Sequence, residues 1–347
     1  MAAPLLQFTD KGIYCPQGDF YIDPWRGVKR AIITHAHSDH SRWGSQYYLA
    51  HKLSEPIMRL RLGQDINLET VDYHQPIYMN NVKVTLHPAG HIIGSAQVRV
   101  EYESQVWVAS GDYKVEDDGI SGAFEPVKCN VFISESTFGL PIYKWKPQQE
   151  IFNNINQWWE NNKANGKQSV VFGYSLGKAQ RILKYLDKNI APIYAHTAIY
   201  NTQQALIDFG IDVYPVQHWN PSVTKEETAG AMIIAPPSAF NTPWLKRFQP
   251  FSTGYCSGWM QVRGAQRRRN ADAGFALSDH ADWPGLLEAV KATEAEKVYV
   301  THGYQSTFSR YLNEIGIESG EVVTEYGDDE AYDDAKIIAA GEGEEAA

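Results

Sequence analysis

The sequence predicts a layered α/β protein interrupted by a second unit built on a parallel, helix-flanked sheet. Three observations support this. Short β-branched runs, AIIT (31–34), VKVTL (82–86), AQVRV (96–100), VWVAS (106–110) and VFIS (131–134), read as strands, and most end where a polar or charged residue appears. From Pro147 the texture changes to strands separated by clear helical patterns, QQEIFNNINQWWENN, SVVFGY, LGKAQRILKYLDKN, PIYAH and IYNTQQALIDFG, the alternation of a parallel sheet. The first texture then returns with GFALS, a helix opening near Asp282-Trp283-Pro284, and KVYVT. These changes divide the chain into a first domain in two parts, 1–144 and 271–326, an insertion at 145–270, and an acidic tail at 327–347.

At 347 residues the chain is long enough for a large buried core and for about two units of roughly 150 residues. Hydrophobic residues make up 43% and charged residues 21%, an ordinary globular balance. No apolar stretch approaches the roughly 20 residues needed to cross a bilayer, and MAAPLLQFTDKG has no basic region leading into an apolar core. Cys15, Cys129 and Cys256 are odd in number and far apart, in no CxxC pair, so neither a disulfide framework nor a cysteine zinc site is indicated. A soluble, unexported, cytoplasmic protein is expected.

The net charge of −10 argues against a generally basic nucleic-acid binder until it is located. From Glu325 onward nine acidic residues face one lysine, Lys336, and account for all but about two of the negative charges. A stretch such as AAGEGEEAA cannot bury enough apolar surface to offset its ordering entropy, so a mobile, solvated tail is expected.

The strongest chemical signal is His35-Ala-His37-Ser-Asp39-His40, directly after AIIT. Imidazole nitrogens and a carboxylate within six residues leaving a strand can divide between two divalent ions a few ångströms apart. Further candidate ligands follow later strands: His91 in HPAGHIIGSAQ and Asp112 after VWVASG. Taken singly, His91 reads equally as a packed core histidine, and Asp112 as a turn cap. Asp23, in FYIDP, is placed to accept the second ring proton of a ligating histidine, or simply to form a turn before proline.

The order Asp23, HAHSDH, His91, Asp112 resembles the metallo-β-lactamase superfamily. Three later elements, Ile133-Ser134-Glu135-Ser136-Thr137, Leu277-Ser278-Asp279-His280-Ala281-Asp282 and Thr301-His302-Gly303, resemble its β-CASP nuclease subgroup. VVFGYSLGKAQRIL resembles the strand-to-helix turn with which that subgroup's insertion begins. The resemblance implies a four-layer αββα metallo-β-lactamase fold with an inserted α/β β-CASP domain. It also implies two divalent metal ions, zinc or manganese. His35, His37, His91 and Asp112 would hold one ion, and Asp39, His40, Asp112 and His302 the other. Asp39, Glu135 and His280 are then the catalytic set, His280 being oriented by Glu135 and standing as proton donor near the leaving oxygen. The product end would carry a 5′-phosphate.

A histidine at the position of His302 resembles the RNA-processing branch. The short insertion, YCSGWM (255–260) and the overall layout resemble bacterial ligase-associated exonucleases, encoded beside an ATP-dependent DNA ligase and a helicase. The expected substrate is therefore DNA, single-stranded or at strand ends, with an RNase of the same fold and a non-catalytic scaffold as alternatives. A small-ester hydrolase would explain neither the insertion nor His280.

Candidate substrate contacts are the basic run Arg263, Arg267, Arg268 and Arg269, and Lys144 and Lys146 flanking Trp145. Either group reads equally as a solvated surface. Ser175, Gly177 and Lys178 open a predicted helix whose backbone N–H groups can receive a terminal phosphate, although ordinary capping explains Ser175 as well.

Overall fold

The computed structural model describes residues 4–262 and 271–325. The chain opens with six short strands, β1 (Gln7–Thr9), β2 (Gly12–Cys15), β3 (Phe20–Ile22), β4 (Arg30–Ile32), β5 (Tyr47–His51) and β6 (Leu68–Val71), with α1 (Glu55–Leu62) between the last two. Next come β7 (Ile77–Met79), β8 (Val82–Pro88), β9 (Ala96–Tyr102), β10 (Gln105–Ala109) and β11 (Val131–Glu135). A second series runs α2 (Gln148–Ala164), β12 (Gln168–Phe172), α3 (Lys178–Tyr185), β13 (Ile193–Ala195), α4 (Thr197–Asp208), β14 (Gln217–His218), β15 (Met232–Ala235), β16 (Phe251–Cys256) and β17 (Ala273–Phe275). The described chain closes with α5 (Trp283–Ala292), β18 (Lys297–Thr301), α6 (Gln305–Glu314) and β19 (Glu318–Glu321).

The described residues form two compact units, one running to Lys144 and resuming at His280, the other spanning Trp145–Asp279. The first unit holds two mixed sheets, ordered β1-β2-β3-β4-β5-β6 and β19-β18-β11-β10-β9-β8-β7. Ile13, Phe20, Ile32 and Leu49 of one sheet share a core with Val84, Leu86, Val98, Trp107 and Ile133 of the other. Side-chain alternation sends Val108, Phe132, Val298 and Val300 to the opposite face, where Leu286, Val290, Phe308 and Leu312 of α5 and α6 pack on them. Both faces of β11 and β18 are thus covered, which is why VFIS and KVYVT lack a clean polar alternation. The neighbours β10, β11 and β18 run parallel, so the residues that follow them emerge along one edge of the sheet.

The second unit is a parallel sheet ordered β14-β13-β15-β12-β16-β17. One boundary differs from expectation. Ala273–Phe275, read from GFALS as the return to the first domain, pairs with Gly254–Cys256 and completes this sheet, so the second unit extends to Asp279 rather than ending near 270. The acidic tail and the arginine run at 263–269 lie outside the described residues.

Among the described residues no helix is long and apolar enough to cross a membrane. Cys15, Cys129 and Cys256 are free thiols, and burial pushes Cys129 and Cys256 up to about 12, far from thiolate at neutral pH.

His51 makes stability pH-dependent. It caps the turn at Lys52–Ser54, Nδ1 accepting the Leu53 N–H at 3.3 Å, and its ring stacks 3.5 Å from Tyr73. Burial pushes its pKa down to about 4. The unfolded chain, with histidine near 6.5, binds a proton across that window that the folded chain does not. Stability is therefore full above about pH 6.5 and falls as pH drops toward 4, by at most about 3 kcal/mol. His51→Asn keeps a cap acceptor without the titration, and urea unfolding followed against pH should show a decline shallower by one proton.

Candidate metal centre

The predicted ligands all lie in the first unit, and the chain is shaped locally to deliver them. β4 ends two residues before AIIT does: Ile33 N–H still donates to Leu49 O, but Thr34 turns away and its carbonyl accepts Ala96 N–H at 2.8 Å. Asp23, held in the left-handed region at φ 43°, faces that turn from the end of β3. It accepts Thr34 N–H at 2.8 Å and the Thr34 hydroxyl at 2.6 Å, and its Oδ2 lies 2.7 Å from His40 Nδ1. Asp112 follows Gly111, whose φ is 57° and where a Cβ would fall 2.6 Å from the Thr34 side chain, so glycine is needed for this approach.

The tautomers follow from these bonds. Thr34 has one hydroxyl proton and gives it to Asp23, so at 3.0 Å from His35 Nδ1 it accepts, and Nδ1 carries the ring proton. That leaves the lone pair on His35 Nε2, a fully buried atom that makes no hydrogen bond. Asp23 likewise fixes His40 as the Nδ1–H form. The same device recurs at His302: Thr301 Oγ1 donates to Ser134 O at 3.2 Å and lies 3.1 Å from His302 Nδ1, which must therefore donate. His302 itself has φ 55°, and Gly303 has φ 62° with a Cβ position 2.3 Å from Ser136 O, so no other residue fits after it. The Ser136 hydroxyl in turn donates to His302 O.

Three nitrogens converge on Asp112 Oδ2: His35 Nε2 at 3.5 Å, His40 Nε2 at 3.5 Å and His91 Nε2 at 3.8 Å. His91 Nε2 is 3.1 Å from His37 Nδ1, His40 Nε2 is 3.3 Å from Asp39 Oδ2, and His302 Nε2 is 4.0 Å from the same oxygen. Donors bound at about 2.0–2.1 Å around a tetrahedral ion stand about 3.3 Å apart, so this spacing fits shared cations. Donor atoms fall into the groups His35-His37-His91-Asp112, His35-Asp39-His40 and His40-Asp112-His302.

Electrostatics point the same way. Burial, then the neighbouring imidazoles His40, His91, His37 and His280, holds His35 well below its ordinary pKa, neutral and able to ligate. Burial also depresses His40, but Asp39, Asp112 and Asp23 outweigh it and hold His40 well above the ordinary value. Buried carboxylates in such number require positive charge beside them, from protonated imidazole or from cations.

Glu135, at the end of β11, accepts Tyr113 N–H at 2.8 Å, and both of its oxygens lie 3.0 Å from His280 Nδ1. Burial would raise the Glu135 carboxyl, but the charge and hydrogen bond of His280 outweigh it and hold it below the usual value. The carboxylate fixes the proton on Nδ1. The His280 ring centre is 4.5 Å from that of His91, so the ring stands beside the same cluster.

The expected substrate contacts are placed differently. Arg263, Arg267, Arg268 and Arg269 lie outside the described residues. Lys144 is exposed, and Lys146 is exposed and paired with Glu150. Ser175 and Lys178 are buried; Gly177 N–H already donates to Gln180 Oε1 at 2.7 Å, and the Lys178 ammonium is 2.6 Å from Asp279 Oδ2. The helix start therefore serves a buried ion cluster with Arg181, which also holds Ser278 O at 2.6 Å, rather than presenting open N–H groups at Gly177. Asp279→Ala would strand two buried cations, and denaturant unfolding should show a loss of about 3 kcal/mol or more.

Sequence reasoning misses Thr34 and Thr301, although a Thr-His pair at two strand ends, AIITHAH and VYVTHG, is a readable signal. Thr301→Val should lower metal affinity by about 10–100-fold in a competition titration, leaving the fold unchanged by circular dichroism.

No family model matches the chain. A probable DNA ligase of Opitutus terrae is 31% identical over 310 residues, 89% of this chain and 30% of that protein. Endoribonuclease YSH1 of Saccharomyces cerevisiae is 32% identical over 123 residues, and cleavage and polyadenylation specificity factor subunit 3 of Dictyostelium discoideum is 34% identical over 125; each match covers 35% of this chain and 16% of the relative. The chain thus spans less than a third of the length of these curated relatives. A crystal structure of a protein of unknown function from Enterococcus faecalis V583 shares the fold, with a TM-score of 0.59 and 12% identity over 86% of this chain and 80% of that one. The chain is a homologue of the metallo-β-lactamase-fold nucleases of the β-CASP group.

Proposed function

We propose that this chain is a two-metal phosphodiesterase acting on nucleic acid, specifically a DNA exonuclease of DNA repair. The observation that carries the reading is the convergence of three histidine nitrogens on Asp112 Oδ2 beside the His280–Glu135 pair. In this reading the first unit is a four-layer αββα metallo-β-lactamase domain and the second is the inserted β-CASP domain.

His35, His37, His91 and Asp112 would hold one ion, and Asp39, His40, Asp112 and His302 the other, zinc being favoured by the imidazole-rich set and manganese being the alternative. Ions held there would offset the charge of a phosphodiester and acidify a water molecule. Asp23, Thr34 and Thr301 would hold a ring proton on Nδ1 of His40, His35 and His302 and so aim each Nε2 at an ion. Glu135 holds the Nδ1–H of His280, so Nε2 is the atom that delivers a proton to the leaving oxygen as the P–O bond breaks. Arg263, Arg267, Arg268 and Arg269 would neutralise phosphates along the strand. Every expected ligand position is filled, which argues against a scaffold that has lost catalysis.

DNA is favoured because the relative aligned along 310 residues is named as a probable DNA ligase, and that name also supports functional association with a ligase. RNA is the second reading, favoured by the endoribonucleases that match 123 residues. Purified protein, given end-labelled single- and double-stranded DNA and matched RNA with zinc or manganese, should degrade DNA faster and from its ends. Faster turnover of RNA would transfer the assignment to RNA processing.

A further inference from the structure

A second group of metal-ligating side chains lies away from this centre in the same unit. His74 precedes β7, His87 stands near the end of β8, and Glu125 lies in the segment between β10 and β11. One donor atom from each falls within 4.8 Å of the others. His74 Nε2 is 3.3 Å from Glu125 Oε2, and His87 Nδ1 is 2.8 Å from Glu125 Oε1. The two imidazole rings meet edge to face with centres 5.0 Å apart.

We propose that His74, His87 and Glu125 form a separate binding site for a divalent transition-metal ion such as zinc, open to solvent in its fourth position. Two imidazoles and one carboxylate with an open position are a recurrent zinc donor set. The 3.3 Å separation of His74 from Glu125 matches the spacing of donors around a tetrahedral ion, and the His87 contact needs to open by about 0.5 Å. Exposure of the side chains is 55% at His74, 41% at Glu125 and 14% at His87, so an ion has a path in while one wall is fixed.

The frame is built to hold these donors. His74 keeps a left-handed φ of 64°, unusual for a side chain of its size, and its N–H donates to Leu86 O at 2.9 Å. Glu125 N–H donates to Pro88 O, and Gln97 Nε2 reaches both Pro88 O at 2.9 Å and Glu125 O at 2.7 Å. Burial lowers the His87 pKa, which keeps that ring neutral and able to ligate near pH 7. An ion here would tie three segments together, one of them, at His87, four residues before His91. The two-metal reading of the main centre is not needed for this site.

The test is zinc content and affinity measured on metal-stripped full-length protein titrated with zinc alone. His74→Asn suits it, because asparagine tolerates the left-handed backbone while removing the imidazole, and Glu125→Gln keeps the shape while removing the charge. Each variant should bind one zinc equivalent fewer per chain than the wild type, with nuclease activity and far-ultraviolet circular dichroism unchanged. Asp112→Ala should retain the equivalent that His74→Asn loses, which separates this site from the main centre. Equal zinc stoichiometry and affinity in wild type and both variants would overturn the proposal, leaving a histidine–carboxylate hydrogen-bond cluster.

Discussion

Asp112→Ala is expected to lower phosphodiester turnover by about 10⁴-fold and to strip the main centre of metal. Its Oδ2 lies within 3.8 Å of nitrogens from His35, His40 and His91, so the groups His35-His37-His91-Asp112 and His40-Asp112-His302 lose a shared ligand at once. If each ion supplies about 3 kcal/mol of charge stabilisation in the transition state, losing both multiplies to about that factor. Steady-state turnover and metal content by elemental analysis check this together. Activity within tenfold of wild type, with metal absent, would show that hydrolysis does not depend on the cluster. The fold should survive, since Asp112 is held beside a sheet edge whose cores lie on either face.

His280→Gln should lower turnover by about 10²–10⁴-fold while leaving metal content intact, because His280 stands beside the ligands without being needed to hold them. The role has a signature that a structural defect lacks. A proton donor matters most when the leaving oxygen is a poor leaving group, so the deficit should shrink sharply on a nitrophenyl phosphodiester. Glu135→Gln should show the same pattern in weaker form, since the amide loosens the ring that the carboxylate now fixes through two 3.0 Å contacts. An equal deficit on natural and activated substrates would remove His280 from the proton-transfer role. At neutral pH Glu135 stays ionised, and because its carboxyl is held below the usual value, the stability that Glu135 itself contributes is present above about pH 4.3 and is lost only as pH falls further.

Much of this architecture was readable because it rests on local pattern. VKVTL, AQVRV, VWVAS and VFIS each mark a strand to within two residues at either end, and the helical runs after Pro147 mark α2 to α4. HAHSDH is legible as a candidate ligand cluster because four donor side chains, His35, His37, Asp39 and His40, fall within six consecutive residues. The misplaced boundary near 270 has a physical cause: a three-residue strand, Ala273–Phe275, carries too little periodicity to reveal which sheet it joins, and pairing with Gly254–Cys256 decides it. Lys178 reads as a phosphate contact in the sequence because helix starts favour anions; its burial against Asp279 depends on a partner about a hundred positions away. His74, His87 and Glu125 share no motif spacing at all, and only tertiary closure brings them together.

Anomalous diffraction at the zinc and manganese edges, from crystals grown with the metal that supports activity, tests the central claim most directly. Two peaks are expected about 3.5–4 Å apart on either side of Asp112, one beside His35, His37 and His91 and the other beside Asp39, His40 and His302. A cluster without peaks, or a single ion remote from Asp112, would contradict it.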